Sequence, residues 1–147
     1  ITYLTNDWVL KIDPNHIFFL EGDRYATDFS AFTEIWDNVV YTNHDYALPG
    51  FIYGGDYPGV TRNRYINRDT LESDFLKKSE FMLKNKVPIW VGEFGPVYTG
   101  IPEKDEMRYQ ILKDQLQYFD KYKVSWCIWL YKDLGLQLST RRRRLRI

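Results

Sequence analysis

The sequence predicts an α/β fold with a parallel sheet, and three observations carry that prediction. Short apolar runs of strand length alternate with segments whose apolar residues recur at helical spacing, in the order α-β-α-β-α-β-α-β. The helical segments are long enough to act as crossovers between parallel strands. Charged and aromatic residues gather just beyond the ends of the apolar runs, where parallel α/β architectures bind their ligands. This pattern fits a doubly wound sheet or a part of a (β/α)8 barrel. A complete barrel takes about 250 residues, and four strands in 147 residues amount to half of one.

Each element has its own signal. Leu4, Trp8 and Ile12 fall four residues apart and predict a short helix that stops at Asp13-Pro14. His16-Ile17-Phe18-Phe19-Leu20 is a compact apolar run closed by Glu21-Gly22, the pattern of a buried strand. Phe29, Phe32, Ile35 and Trp36 return to helical spacing, and Val39-Val40-Tyr41 predicts a second strand. Residues 47–69, rich in Gly, Pro and Tyr, read as one long loop. Leu71, Phe75, Leu76, Met82 and Leu83 mark one face of a helix. Pro88-Ile89-Trp90-Val91 predicts a third strand, ended by Gly92-Glu93-Phe94-Gly95. Met107, Ile111, Leu112, Leu116 and Phe119 mark another amphipathic helix, and residues 124–130 predict a fourth strand.

Composition narrows the function classes. Aromatic residues make up 18% of the chain, with five Trp and twelve Tyr, enough for both core packing and the apolar faces of sugar rings. The net charge is zero, but Arg141, Arg142, Arg143, Arg144 and Arg146 concentrate basic charge in a tail without acidic residues. The body before it is therefore net acidic, which argues against nucleic-acid binding. Residues 138–147 are expected to be a solvated, disordered tail. Cys127 is the single cysteine, so no disulfide forms within the chain. No apolar run approaches the length of a membrane span. The chain opens at Ile1 without a signal-like segment and holds no Asn-x-Ser/Thr acceptor, so localisation stays unread.

The strand ends carry the candidate chemistry. Asn43, His44, Asp45 and Tyr46 follow the second strand, Glu93 follows the third, and Trp129, Tyr131, Lys132 and Asp133 follow the fourth. A carboxylate, an imidazole, a phenol and an indole converging there would make a site. Each also has a plain structural role open to it: an ion pair for Glu93, a loop hydrogen bond for His44, core packing for Trp129. His16, after Asp-Pro-Asn, reads as structural. Glu21 also ends a strand without a polar ring or aromatic of its own, and ranks second as a site candidate.

Ile89-Trp90-Val91-Gly92-Glu93-Phe94-Gly95, Thr42-Asn43-His44-Asp45-Tyr46 and Trp126-Cys127-Ile128-Trp129 resemble strand ends seven, six and eight of glycoside hydrolase family 5. Residues 13–22, Asp-Pro-Asn-His-Ile-Phe-Phe-Leu-Glu-Gly, are similar to that family's entry into strand five. The resemblance implies a partial (β/α)8 barrel, strands five to eight, over residues 1–137. It implies Glu93 as the nucleophile, Tyr46 as the tyrosine that orients it, and His44 as the neighbouring histidine. Trp129 matches the aromatic floor of the cleavage subsite, with Lys132, Phe51, Tyr53 and Tyr57 as further cleft residues. The family's Asn-Glu acid/base pair ends strand four, before the first matched residue, and Asn6-Asp7 does not replace it.

The resemblance thus implies a retaining endo-β-glycanase or β-glycosidase acting on a polysaccharide or glycoconjugate, here as a fragment expected to be inactive. Carboxylates and water suffice for that chemistry, so no metal or organic cofactor is implied. The partner is an oligo- or polysaccharide, extracellular as a family expectation, and an incomplete barrel is expected to self-associate. A non-catalytic carbohydrate-binding remnant is the alternative, and a doubly wound binding domain a third.

Overall fold

A computed structural model of the chain describes residues 6–51 and 56–129, the side chains of residues 6–8 and 51 excepted. Leu4 and the ring of Trp8 therefore lie outside the described residues, as does the tail from residue 138. Helix α1 (Asn6–Ile12) leads into β1 (Phe18–Glu21). A single left-handed turn, α2 (Asp23–Ala26), precedes β2 (Val39–Asp45). Then come α3 (Leu48–Phe51), the hairpin β3 (Gly59–Thr61) and β4 (Arg64–Ile66), and helices α4 (Arg68–Lys78) and α5 (Glu80–Asn85). Strand β5 (Ile89–Phe94), helix α6 (Pro102–Lys121) and β6 (Ser125–Ile128) complete the order.

The main sheet runs β1-β2-β5-β6 with every neighbouring pair parallel. Strand order follows chain order, so each crossover steps the same way. With right-handed crossovers this puts the connecting helices on one face, whereas a doubly wound sheet reverses its order once and covers both faces. The topology is that of a (β/α)8 barrel laid open, with β1, β2, β5 and β6 in the places of four consecutive barrel strands.

The core lies between the sheet and α4, α5 and α6. Tyr41, Val91 and Phe94 from the strands meet Phe75, Met82, Ile111, Tyr118 and Phe119 from the helices, all buried. Phe94 packs edge-on to Phe119 at 4.9 Å, and Phe75 stacks on Tyr118 at 5.2 Å. The opposite face is open: Phe19 of β1 is half exposed and touches Trp90 of β5 edge-on.

Three expected elements take another form. The stretch with Phe29, Phe32, Ile35 and Trp36 is irregular, not helical. Phe29 and Phe32 instead close an aromatic cluster with Tyr41 and Phe81, so tertiary packing and not a helix face produced their spacing. Residues 47–69 hold α3 and a hairpin whose two-residue turn, Arg62-Asn63, has positive φ at both positions. The long helix breaks into α4 and α5 at buried Ser79, whose hydroxyl accepts from Asn43 Nδ2 at 2.9 Å. At the start of α4, Asn67 and Thr70 cap each other's backbone N–H groups.

Candidate active site

Strand β5 contains one residue more than its neighbours allow. Pairing with β2 runs Tyr41↔Ile89, Thr42↔Trp90 and Asn43↔Val91, then jumps to His44↔Glu93. On the other side Val91 pairs with Trp126 and Phe94 with Ile128, so the extra residue belongs to β5. Strict alternation would send Glu93 to the helix side with Ile89 and Val91. The bulge at Gly92-Glu93 reverses the count. Phe94 enters the core, and Glu93 turns to the open face opposite His44.

Three strands then supply one chain of contacts. Tyr46, just beyond β2, donates its hydroxyl hydrogen to Glu93 Oε2 at 3.0 Å. His44 Nδ1 lies 3.5 Å from the same oxygen. The other ring nitrogen, Nε2, lies 3.4 Å from Glu21 Oε1 at the end of β1. Thr42, paired with Glu21 across the strands, donates to that oxygen at 3.4 Å. Glu93 remains about a third exposed, while His44 is nearly covered. Burial pushes the Tyr46 phenol far above its ordinary range, and the Glu93 hydrogen bond and charge add to the rise. Tyr46 is thus a neutral donor fixed on the carboxylate.

Adjacent loops are tied down. Gly95 has φ 129, and a Cβ there would stand 3.1 Å from the Trp129 carbonyl oxygen, so glycine lets the ends of β5 and β6 close together. Trp129 donates its backbone N–H to Phe94 O at 2.8 Å and leaves its side chain about half exposed. Buried Asp105 accepts from Thr99 N and Gly100 N, and Arg108 Nε donates to Val97 O, which fixes the loop after Glu93 to the start of α6.

The structure therefore brings Glu93, His44 and Tyr46 together, and leaves the Trp129 side chain outside the core at the end of the neighbouring strand. It separates Asn43 and Asp45, which alternate to the helix side and are buried. Tyr57 is buried too, donating to Asp114, and forms no cleft wall. His16 pairs with Asp13 on the surface. Tyr53, Tyr131, Lys132 and Asp133 lie outside the described residues, as does the side chain of Phe51. Glu21 is the residue the sequence undervalued: its polar ring, His44, stands 23 positions further along the chain. A glycine inside an apolar run was the available signal for the bulge. An open hollow of about 720 Å³, lined by Phe29, Phe32 and Lys84 among others, includes none of these strand-end residues. Among the described residues no His, Cys, Asp and Glu group is arranged to hold a metal ion, and no helix is long and apolar enough to cross a membrane.

A parallel open barrel with a carboxylate, an imidazole and a phenol at its carboxyl-terminal strand ends defines the class of molecule. Residues 5–135 match the model of the cellulase family, glycosyl hydrolase family 5, and the chain belongs to that family. It is 40% identical over 139 residues to a β-xylosidase of Phanerodontia chrysosporium, covering 88% of this chain and 29% of that protein. In fold it is similar to an endoglucanase of the hyperthermophilic Thermotoga maritima, with TM-score 0.66, 20% identity, and 86% and 44% of the two chains covered. The cellulose synthase subunit Z of Clostridioides difficile gives TM-score 0.65 at 18% identity, over 86% and 45%. The chain thus spans less than half the length of these relatives.

Proposed function

We propose that this chain carries the nucleophile side of a retaining glycosidase site acting on β-linked sugars. The observation that supports it most is Glu93, turned out of the core by a bulge and held by Tyr46 at 3.0 Å beside His44. In this reading Glu93 attacks the anomeric carbon as the leaving oxygen departs, and water then releases the glycosyl-enzyme ester. Tyr46, neutral, steadies the carboxylate, and Trp129 offers its exposed indole to the sugar face. Lys132 and Tyr53 are assigned to sugar contacts by the family pattern alone.

The reaction needs a second carboxyl group about 5–5.5 Å from the first, with a glycosidic oxygen between them. Glu21 does not fit, because the His44 ring fills the space separating it from Glu93. We assign the acid to the strand-four Glu of the family pattern, which has no counterpart in residues 1–147. Without it this chain alone loses general acid assistance worth about 10²–10⁴-fold. Its relatives' names make β-xylosides and β-glucans the first substrates to try. The test is mechanism-based labelling of a complete barrel carrying this chain with a 2-fluoro xyloside or glucoside. The ester is expected on Glu93, and an ester on another residue would end the assignment.

A further inference from the structure

We propose that Glu21 is a positioning residue, which holds the ring hydrogen of His44 on Nε2 and so turns a lone pair toward Glu93. The inference rests on the reading of Glu93 as nucleophile for its purpose, though not for its geometry. His44 stands between two carboxylates, with Nε2 3.4 Å from Glu21 Oε1 and Nδ1 3.5 Å from Glu93 Oε2. Among the described residues, the ionisable groups against the ring are Glu21 from β1, Glu93 from β5 and Tyr46 from its own strand end. A neutral imidazole has one hydrogen to give, so the two carboxylates compete for it. Glu93 Oε2 already accepts from Tyr46, whereas among the described residues Glu21 Oε1 has only the longer contact from Thr42. Glu21 is therefore the better acceptor for His44.

The fold fixes Glu21 for this role. Its backbone pairs with Thr42, which sets its side chain on the same face as His44. Directly after it, the chain folds back so tightly that a Cβ on Gly22 would stand 2.6 Å from Asp28 O. That turn is closed by paired bonds, Asp23 N to Asp28 O and Asp28 N to Asp23 O. The consequence for chemistry is direct. An N–H from His44 to Glu93 would be a second donor beside Tyr46 and would draw off charge that an attacking carboxylate needs. With the hydrogen kept on Nε2, that charge stays on Glu93.

The test reads the tautomer itself. The sequence has two histidines, and His16, exposed and bonded to Asp13, is an internal control. The whole chain, labelled with ¹⁵N-histidine, is measured at pH about 9, above the ordinary imidazole range. Magic-angle spinning makes the reading independent of association. The expected result is hydrogen on Nε2 of His44. Glu21→Ala is expected to move it toward Nδ1, changing the tautomer ratio roughly three- to tenfold. Glu21→Gln, whose amide oxygen still accepts, is expected to retain the original tautomer. Wild-type hydrogen on Nδ1, or an unmoved ratio in Glu21→Ala, would overturn the inference. A 2-fluoro label found elsewhere than Glu93 would instead sink the nucleophile reading and leave the tautomer result standing.

Discussion

His44 and Asp45 are neighbours in the chain and belong to two different chemistries. Asp45 points to the helix side, where Lys78 Nζ reaches it at 2.8 Å, Tyr118 donates to Oδ2, and Gln115 Nε2 donates to its backbone oxygen at 2.6 Å. Burial, with Asp45 as second cause, pushes the Tyr118 phenol far up, so this partner stays a neutral donor. His44 points to the open face, where its contacts are 3.4 and 3.5 Å and its partners Glu21 and Glu93 are partly in solvent. On one side, short bonds saturate a buried charge and tie β2 to α4 and α6. On the other, looser contacts leave the Glu93 carboxylate about a third exposed. One strand thus serves as frame on one face and carries the candidate site on the other.

The comparison breaks most visibly at Glu93. In a complete barrel carrying this chain, Glu93→Gly is expected to lower turnover by more than about 10⁴-fold, with the melting temperature almost unchanged. Azide should restore cleavage of an activated glycoside with inverted product. Retained activity would remove Glu93 from the site side of the comparison.

Asp45→Ala probes the frame. It leaves the partly exposed Lys78 and the buried Tyr118 hydroxyl without their carboxylate partner, an effect of about 1–3 kcal/mol for a buried donor left unsatisfied. Denaturant unfolding measures this, and a loss below about 1 kcal/mol would mean that Asp45 is not the tie that its bonds suggest. Trp129→Ala sharpens the contrast further. It is expected to weaken oligosaccharide binding by about 1–3 kcal/mol and leave the circular dichroism spectrum intact, since its ring is outside the core.

The smallest effect is a pH dependence of the frame. Glu72 on α4 accepts from Lys121 Nζ and from the Tyr122 hydroxyl, and these bonds, Lys121 first, hold its carboxyl below the usual range. A depressed folded value means stability that is fully present above the unfolded carboxylate value of about 4.3, and is lost as pH falls through the lower folded value. Glu72→Gln should be less stable than the parent at neutral pH and converge with it in acid. Parallel stability curves would refute this.

The sequence revealed what depends on local pattern and hid what depends on distant partners. The apolar run Ile89-Trp90-Val91 announced β5, and the spacing from Met107 to Phe119 announced α6. β2 runs four residues beyond its apolar start because Thr42, Asn43 and Asp45 find partners on β1, at Ser79 and on α4 and α6. No periodicity of apolar residues reports such bonds. The hairpin escaped notice because its turn is Arg62-Asn63, without the glycine that usually marks a two-residue turn. Family likeness named Glu93, His44 and Tyr46 as candidates, whereas Glu21 ranked second, since only the folded sheet sets it against His44.

Gly92 is the surplus residue that the β5 bulge absorbs. A methyl group there would meet Trp90 Nε1 at 3.6 Å and His44 Cδ2 at 3.8 Å, ordinary contact distances, and its φ lies outside the left-handed region. Gly92→Ala is therefore a mild change. Loss of the residue removes the bulge, and Val91, Glu93 and Phe94 then alternate in, out and in, so Glu93 stays on the open face and Phe94 in the core. A three-base in-frame deletion at this codon would thus flatten the bulge while leaving both faces of the strand as they are, and point changes at the same codon to small residues pass nearly unnoticed.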